Sequence, residues 1–351
     1  MIVISEQQSA TEFTRARVLA RLAPYLREVD LPRAWLVARS LQDAGARARA
    51  LCYLVDPLPP DQRVAVLDEA LTLARSIAQS WLRVRAYVPV LVRLQAAEKM
   101  VVAEEVLETI ALIPHEWHRS RALTLVAQIL PDEIKDRAIV EARSIGTPYA
   151  RALTLSAYSE SLSDELRLQV LQAAPLVIDE WLRATLLGAV AEYLTSEQRA
   201  EAWAEARRIS DRAARVSALH GVARTLSVEA RPIGLQEALR VARQIEDELG
   251  RAEMLAVLLV DLPDDQRALA FQEAWQAARS IGDPALQATA LIGLLPAALE
   301  DAVADLREEI LAVTRQIADV DSRAEVLSQA IAYCAVEERA DAACAVLELW
   351  G

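Results

Sequence analysis

Asparagine is absent from this chain, and lysine occurs twice, at Lys99 and Lys135; 351 residues contain only three histidines, three cysteines, two phenylalanines and nine glycines. Each shortage narrows the reading. Cys52, Cys334 and Cys344 are odd in number and widely spaced among apolar residues, which makes neither a disulfide framework nor a metal knuckle. His115 and His118 stand three apart in HEWH with only Glu116 beside them, and His220 stands alone, so no metal site is expected. Phosphate-binding glycine loops, G-x-S-x-G, H-E-x-x-H and Cys-x-x-Cys are all missing, so neither an enzyme nor a cofactor is expected. No apolar run approaches the roughly 18–20 residues that span a bilayer. The start, MIVISEQQSATEF, lacks a basic segment, a sustained apolar stretch and a cleavage site, and the compartment expected is the cytoplasm. A net charge of −13 argues against nucleic acid and against an anionic membrane as partners. The loss of Asn and the use of Arg for Lys fit a high-GC or heat-adapted genome, or an engineered sequence.

What is present is a repeat. Branched apolar anchors recur at Leu41, Ile77, Ile113, Ile145, Val177, Ile209, Ile245, Ile281 and Ile317, at intervals of 36 or 32 residues. Six residues after them stand Arg47, Arg83, Arg119, Arg151, Arg183, Arg215, Arg251, Gln287 and Arg323. Ten after them stand Leu51, Tyr87, Leu123, Leu155, Leu187, Leu219, Leu255, Leu291 and Leu327. Such periodicity means stacked copies of one supersecondary unit, each too small to bury its own apolar face.

Within residues 61–95, Val64, Leu67, Leu71, Ala74 and Ile77 recur at helical steps. The pattern breaks at Gln79-Ser80 and restarts with Val84, Tyr87, Val88, Leu91 and Leu94, which predicts a second, antiparallel helix. Strand-like alternation is absent. The expected fold is therefore all-α: a right-handed-type α-solenoid of about nine to ten antiparallel helical hairpins. It should comprise an N-terminal arm over residues 1–10 and a single elongated repeat domain over 11–351, closed by a capping helix near 337–349. Arg15, Ala16 and Leu19 match a second helix whose first helix is missing. Asp43, Asp179, Asp211, Asp247, Asp283 and Asp319, with Thr147, stand two after the anchor and suit the N-cap of the second helix. The four extra residues of the long copies amount to about one helical turn, which predicts shorter first helices between Ile113 and Ile209.

Uniform columns serve the fold. The Arg at +6 shares a face with the apolar positions, so its stem packs inward while its head meets the capping Asp four residues before it or carbonyls at a helix end. A second column, Arg39, Arg75, Arg143, Arg207, Arg243, Arg279 and Arg315, falls in the last turn of the first helix, with Glu69, Glu105, Glu201, Glu237, Glu273 and Glu309 at anchor −8. Trp35, Trp203 and Trp275 lie in the apolar stripe of the first helix and read as core. A local departure is more informative. Four after the anchor, consecutive copies carry Trp81, Trp117, Tyr149 and Trp181, flanked by Gly45 and Ala213. These are the candidate partner-binding residues, since aromatic side chains are enriched at binding hot spots.

The phrases EARSIGTPYARALTLSA, EARRISDRAARVSALHGVA and AARSIGDPALQATALIGLL resemble the helical-hairpin repeats appended to bacterial STAND-type signalling ATPases. In layout they are also similar to tetratricopeptide and HEAT solenoids, although the tetratricopeptide consensus is not reproduced. The resemblance covers roughly residues 11–349 and implies a protein-binding or ligand-sensing array. The function expected is a non-catalytic scaffold holding a protein or peptide. The alternatives are a small-ligand or nucleotide sensor of a signalling or defence system, and a designed, consensus-like repeat without a partner.

Overall fold

Each anchor marks the place where one helix stops and the next is prepared. Leu41, Ile77 and Val177 sit in extended backbone (φ/ψ −63/130°, −73/118° and −79/109°) directly after a helical turn, a conformation that suits the β-branched Ile77 and Val177. Two residues later the Asp carboxylate accepts the backbone N–H that opens the second helix: Ala46 at 2.9 Å, Leu182 at 3.0 Å, Ala214 at 2.7 Å, Gly250 at 2.6 Å and Ser322 at 2.7 Å. The anchor's carbonyl, leaving the helical register, is orphaned. The Arg at +6 reaches back to it: Arg47 to Leu41 (2.8 Å from Nε), Arg83 to Ile77 (2.7 Å), Arg119 to Ile113 (3.3 Å), Arg151 to Ile145 (2.8 Å), Arg183 to Val177 (3.0 and 2.6 Å), Arg215 to Ile209 (2.5 Å) and Arg251 to Ile245 (3.0 Å). Gln287 donates instead to the Arg279 carbonyl at 3.0 Å, and Arg323 has a buried Nε with no hydrogen-bond partner. Anchor, Asp and Arg are thus one device. The Asp serves the backbone and the Arg serves the carbonyl, rather than pairing with each other. Arg183→Lys, which exchanges a two-pronged donor for a single ammonium, is expected to cost about 1 kcal/mol in chemical denaturation.

The computed structural model describes the backbone of residues 6–298 and 300–350, and the side chains of 10–60, 62–298 and 302–350. Among the described residues all regular structure is helical. In chain order the α-helices are α1 (Glu6–Leu22), α2 (Leu31–Ser40), α3 (Ala44–Leu54), α4 (Pro60–Ser76), α5 (Ser80–Leu91), α6 (Ala96–Ala111), α7 (Glu116–Val126), α8 (Asp132–Arg143), α9 (Pro148–Ser156) and α10 (Asp164–Ala173). They continue with α11 (Glu180–Ala191), α12 (Ser196–Arg207), α13 (Arg212–Ala223), α14 (Arg231–Ala242), α15 (Glu248–Leu259), α16 (Asp264–Arg279), α17 (Pro284–Leu294), α18 (Glu300–Thr314), α19 (Val320–Ala330) and α20 (Arg339–Glu348). No helix among the described residues is long and apolar enough to cross a membrane.

Packing divides the chain into two units: Met1–Ile134 with Thr314–Gly351, and Lys135–Val313. In the first unit, α3 lies between α1 and α5, and α5 packs on α7. In the second, α9, α11, α13, α15 and α17 follow one another in the same way, with α10, α12, α14 and α16 packed against them. The residue at +10 is central to both units: Leu51, Tyr87, Leu123, Leu187, Leu219, Leu255 and Leu291 are fully buried. Of the cysteines only Cys52 is buried, and burial pushes its thiol up to about 12; Cys334 and Cys344 are half-buried rather than core.

The N-terminal arm expected over residues 1–10 is helical from Glu6 onward; residues 1–5 lie outside the described residues. α1 continues because it has a partner on each side. It packs on α3 and, from the other end of the chain, on α19. Arg15 pairs with Asp321 at 2.9 Å, Arg17 with Glu325 at 2.9 Å, and Arg21 also reaches Glu325. α20 runs alongside in the opposite sense: Arg339, at its start, lies over the Tyr25 ring beyond the end of α1, while Trp350, past its end, lies under Arg15. The C-terminal helix therefore occupies the place of the first helix that α1 lacks.

Long and short copies differ as expected at α4, α6 and α16, which have 17, 16 and 16 residues against 12, 10 and 12 in α8, α10 and α12. α14 departs from this. It belongs to a 36-residue interval yet has 12 residues, because Pro232 stands in its first turn and cannot be carried into a helix interior. The extra residues there form the turn around Ser227–Ala230 instead.

The Arg column at anchor −2 joins neighbouring copies. Arg75 meets Glu105 at 2.9 Å, Arg207 meets Glu237 at 2.5 Å, Arg243 meets Glu273 at 2.8 Å and Arg279 meets Glu309 at 2.7 Å, each exactly thirty residues on in sequence. Being partly exposed, each contributes only about 0.2–1 kcal/mol. Trp35 and Trp203 are half-buried rather than core, lying under Arg39 and Arg207, whereas Trp275 is buried and donates its indole N–H to Glu309 at 2.8 Å.

Candidate functional site

The four aromatics at +4 are not core. Trp81 and Trp117 are half-buried in the first unit, and Tyr149 and Trp181, in the second, are 37% and 46% exposed. Position +4 lies in the first turn of the second helix, and position +8 lies one turn further along the same face. In the first unit that position carries arginine four times running, Arg17, Arg49, Arg85 and Arg121, where later copies carry Leu153, Thr185 and Ser217. The i, i+4 spacing lays Arg85 over the Trp81 ring and Arg121 over Trp117, both at 5.8 Å from the ring centroid.

Phe13 on α1 is the first aromatic of the +4 column, and Gly45 on α3 interrupts it. The missing side chain leaves room for Arg85 to extend across α3 and lie over Phe13 at 5.3 Å. A Cβ at Gly45 would stand 3.3 Å from the tip of Phe13 and 3.2 Å from the Asp43 carboxylate. The result is a cavity of about 230 Å³ whose floor is Gly45, with Phe13, Ile77, Leu82 and Ala86 as apolar walls and Arg49 and Arg85 as charged ones. Asp43 lines it too, with one carboxylate oxygen taken by the Ala46 N–H.

Two arginines, Arg49 and Arg85, line this cavity with one carboxylate, Asp43. Arg17 is neutralised by Glu325; seven of the eight +6 arginines donate to the anchor carbonyl, and Arg39, Arg75, Arg207, Arg243 and Arg279 of the −2 column meet glutamates. Arg49 and Arg85 have no hydrogen-bonded or ion-paired partner among the described residues, and the Arg49 Nε is buried and unsatisfied. Burial, followed by the charges of Arg49 and Arg121, holds the Arg85 pKa below the ordinary arginine value, and Asp43 opposes this. Cation–π contact offsets part of the desolvation of Arg85 but supplies no acceptor for its N–H groups.

Next to the cavity, His118 stacks on Trp81 at 5.7 Å and 13°, and His115 meets His118 edge-on at 5.8 Å. The HEWH histidines thus extend the aromatic row. His220 lies elsewhere, 2.7 Å from an Asp261 oxygen. A second cavity, of about 310 Å³ in the other unit, is lined by Pro148, Arg151, Leu155 and Val170; its only arginine is committed to the Ile145 carbonyl.

The aromatics at Trp81 and Trp117 were legible as a column, whereas the Arg column at +8 and the role of Phe13 were missed. Their signal is present in the sequence, since the +8 position is Arg from Arg17 to Arg121 and then changes to Leu153, Thr185, Ser217, Glu253, Thr289 and Glu325. No protein-family model matches this chain, and no curated protein and no solved structure matches it.

Proposed function

We propose that this protein is a non-catalytic, cytoplasmic recognition module: a right-handed-type α-solenoid of about nine to ten helical hairpins whose aromatic face in the first unit holds a protein or peptide. The supporting observation is the paired column of aromatics at +4 and arginines at +8, formed by Phe13, Trp81, Trp117, Arg49, Arg85 and Arg121, because Arg49 and Arg85 have no hydrogen-bonded or ion-paired partner among the described residues. Half-exposed aromatics beside arginines match the composition of binding hot spots. Cavity size favours a polypeptide over a free small molecule: about 230 Å³ is below the roughly 300–1,000 Å³ of small-ligand sites and suits one inserted side chain. The likeness to sensor repeats of signalling ATPases is consistent with such a role.

The test is selection of displayed random peptides on the immobilised full chain, beside a Trp81→Ala/Trp117→Ala variant. Enriched peptides that bind the parent and lose at least tenfold on the variant are expected, with the circular-dichroism melt little changed, since neither indole is fully buried. Absence of enrichment, or a collapsed melt in the variant, would overturn the reading.

A further inference from the structure

The unpartnered arginines define what the cavity takes. Cavities in cores are lined by matched groups, because a buried donor without an acceptor is costly. Here the Arg49 Nε is buried without an acceptor, and Arg85, exposed to solvent and lying over Phe13 and Trp81, lines the same space. Two arginines lining a pocket with one aromatic wall and an aliphatic remainder have the chemistry of an oxyanion site that also accepts an apolar stem. Asp43, the acid among the lining residues, supplies one negative charge against two arginines.

Resting on the recognition reading above, we infer that the cavity between Phe13, Gly45, Arg49 and Arg85 is an anion subsite that captures an oxyanion on an acidic polypeptide partner, a carboxylate or a phosphate borne by one side chain. The overall charge of −13 does not oppose this. Over the roughly 8 Å across which charges act at physiological salt, local arginines outweigh distant acids. Gly45 is the specificity element: any side chain there would occupy the space that the stem of the ligand fills.

The experiment uses the peptides recovered on the full chain, measured against the parent, Arg49→Gln, Arg85→Gln and Arg85→Lys. Asp and Glu are expected to be enriched in those peptides, and each Gln variant to weaken binding roughly ten- to a hundredfold. Arg85→Lys should recover only part of the loss, and high salt should weaken the parent's binding. Competition with 3-phenylpropionate and with phenyl phosphate identifies the source of the anion, since the better competitor carries the matching group; phenethyl alcohol, of the same size but neutral, should not compete. Peptides that lose affinity on Trp81→Ala/Trp117→Ala yet are neutral in charge and unaffected by either Gln variant would overturn the anion subsite while leaving the recognition reading intact. Failure to enrich any peptide would remove both. Arg85 is exposed enough that Arg85→Gln should fold as the parent does. Should Arg49→Gln unfold, Arg85→Gln with the salt dependence decides the question.

Discussion

Replacing Leu347 with Ala is expected to cost the first unit about 2–5 kcal/mol and to loosen the opposite end of the chain at the same time. Leu347 is fully buried on α20, beside Val346 and Ala343. α20 packs on α19 and on the short turn at Ala23–Tyr25 that ends α1, and α1 itself packs on α19. Three arginines of α1, Arg15, Arg17 and Arg21, are held by Asp321 and Glu325. Loss of the Leu347 side chain should therefore lower amide-exchange protection in residues 10–22 as well as in 339–348, because both belong to one cooperative unit. Glu325→Arg, which places three cations together, should show the same coupled loss. If exchange in α1 is untouched by Leu347→Ala, the two ends are energetically independent and the split pairing of α1 with α20 contributes nothing to stability.

The second large effect has a sign opposite to intuition. Gly221 lies in the last turn of α13, and glycine-to-alanine changes within helices ordinarily gain up to about 1 kcal/mol. Here a Cβ at Gly221 would stand 2.9 Å from the Cα of Gly188 on α11, a contact with backbone that no side-chain rotation relieves. Gly221→Ala is expected to lower stability by about 1–2 kcal/mol, since forcing two packed helices apart costs about 1–3 kcal/mol against that gain. Gly188→Ala is the control. Its Cβ would be 3.9 Å from the Gly221 Cα, an ordinary contact, so this variant should gain about 0.5–1 kcal/mol. Thermal melts of the two variants should move in opposite directions; equal shifts would show that the helices are not held by this close approach.

Local chemistry was readable from residue order alone. The anchor, the capping Asp and the Arg at +6 act within six residues of one another, so their spacing announces a helix end, a helix start and a buttress for the carbonyl between them. Helices α4, α8 and α16 start directly after Leu-Pro at 58–60, 130–132 and 262–264, because proline constrains its own backbone. The same locality explains the exception at α14, where Pro232 overrides the length of the copy.

The all-helical class, the repeat and its caps follow from the sequence by itself, because periodicity and capping depend on residues a few positions apart. Only the tertiary structure decided how copies use one another. It paired Arg75 with Glu105 thirty residues away, brought Asp321 and Glu325 to Arg15 and Arg17 across more than three hundred residues, and made Gly45 a vacancy rather than a mere gap in a column. Contacts of this kind are set by where neighbouring helices lie, and a side chain's partner on another helix is not encoded in its own spacing. The cavity beside Arg49 and Arg85 belongs to that second class: three helices, each ordinary in sequence, meet there and bring the two arginines to one space.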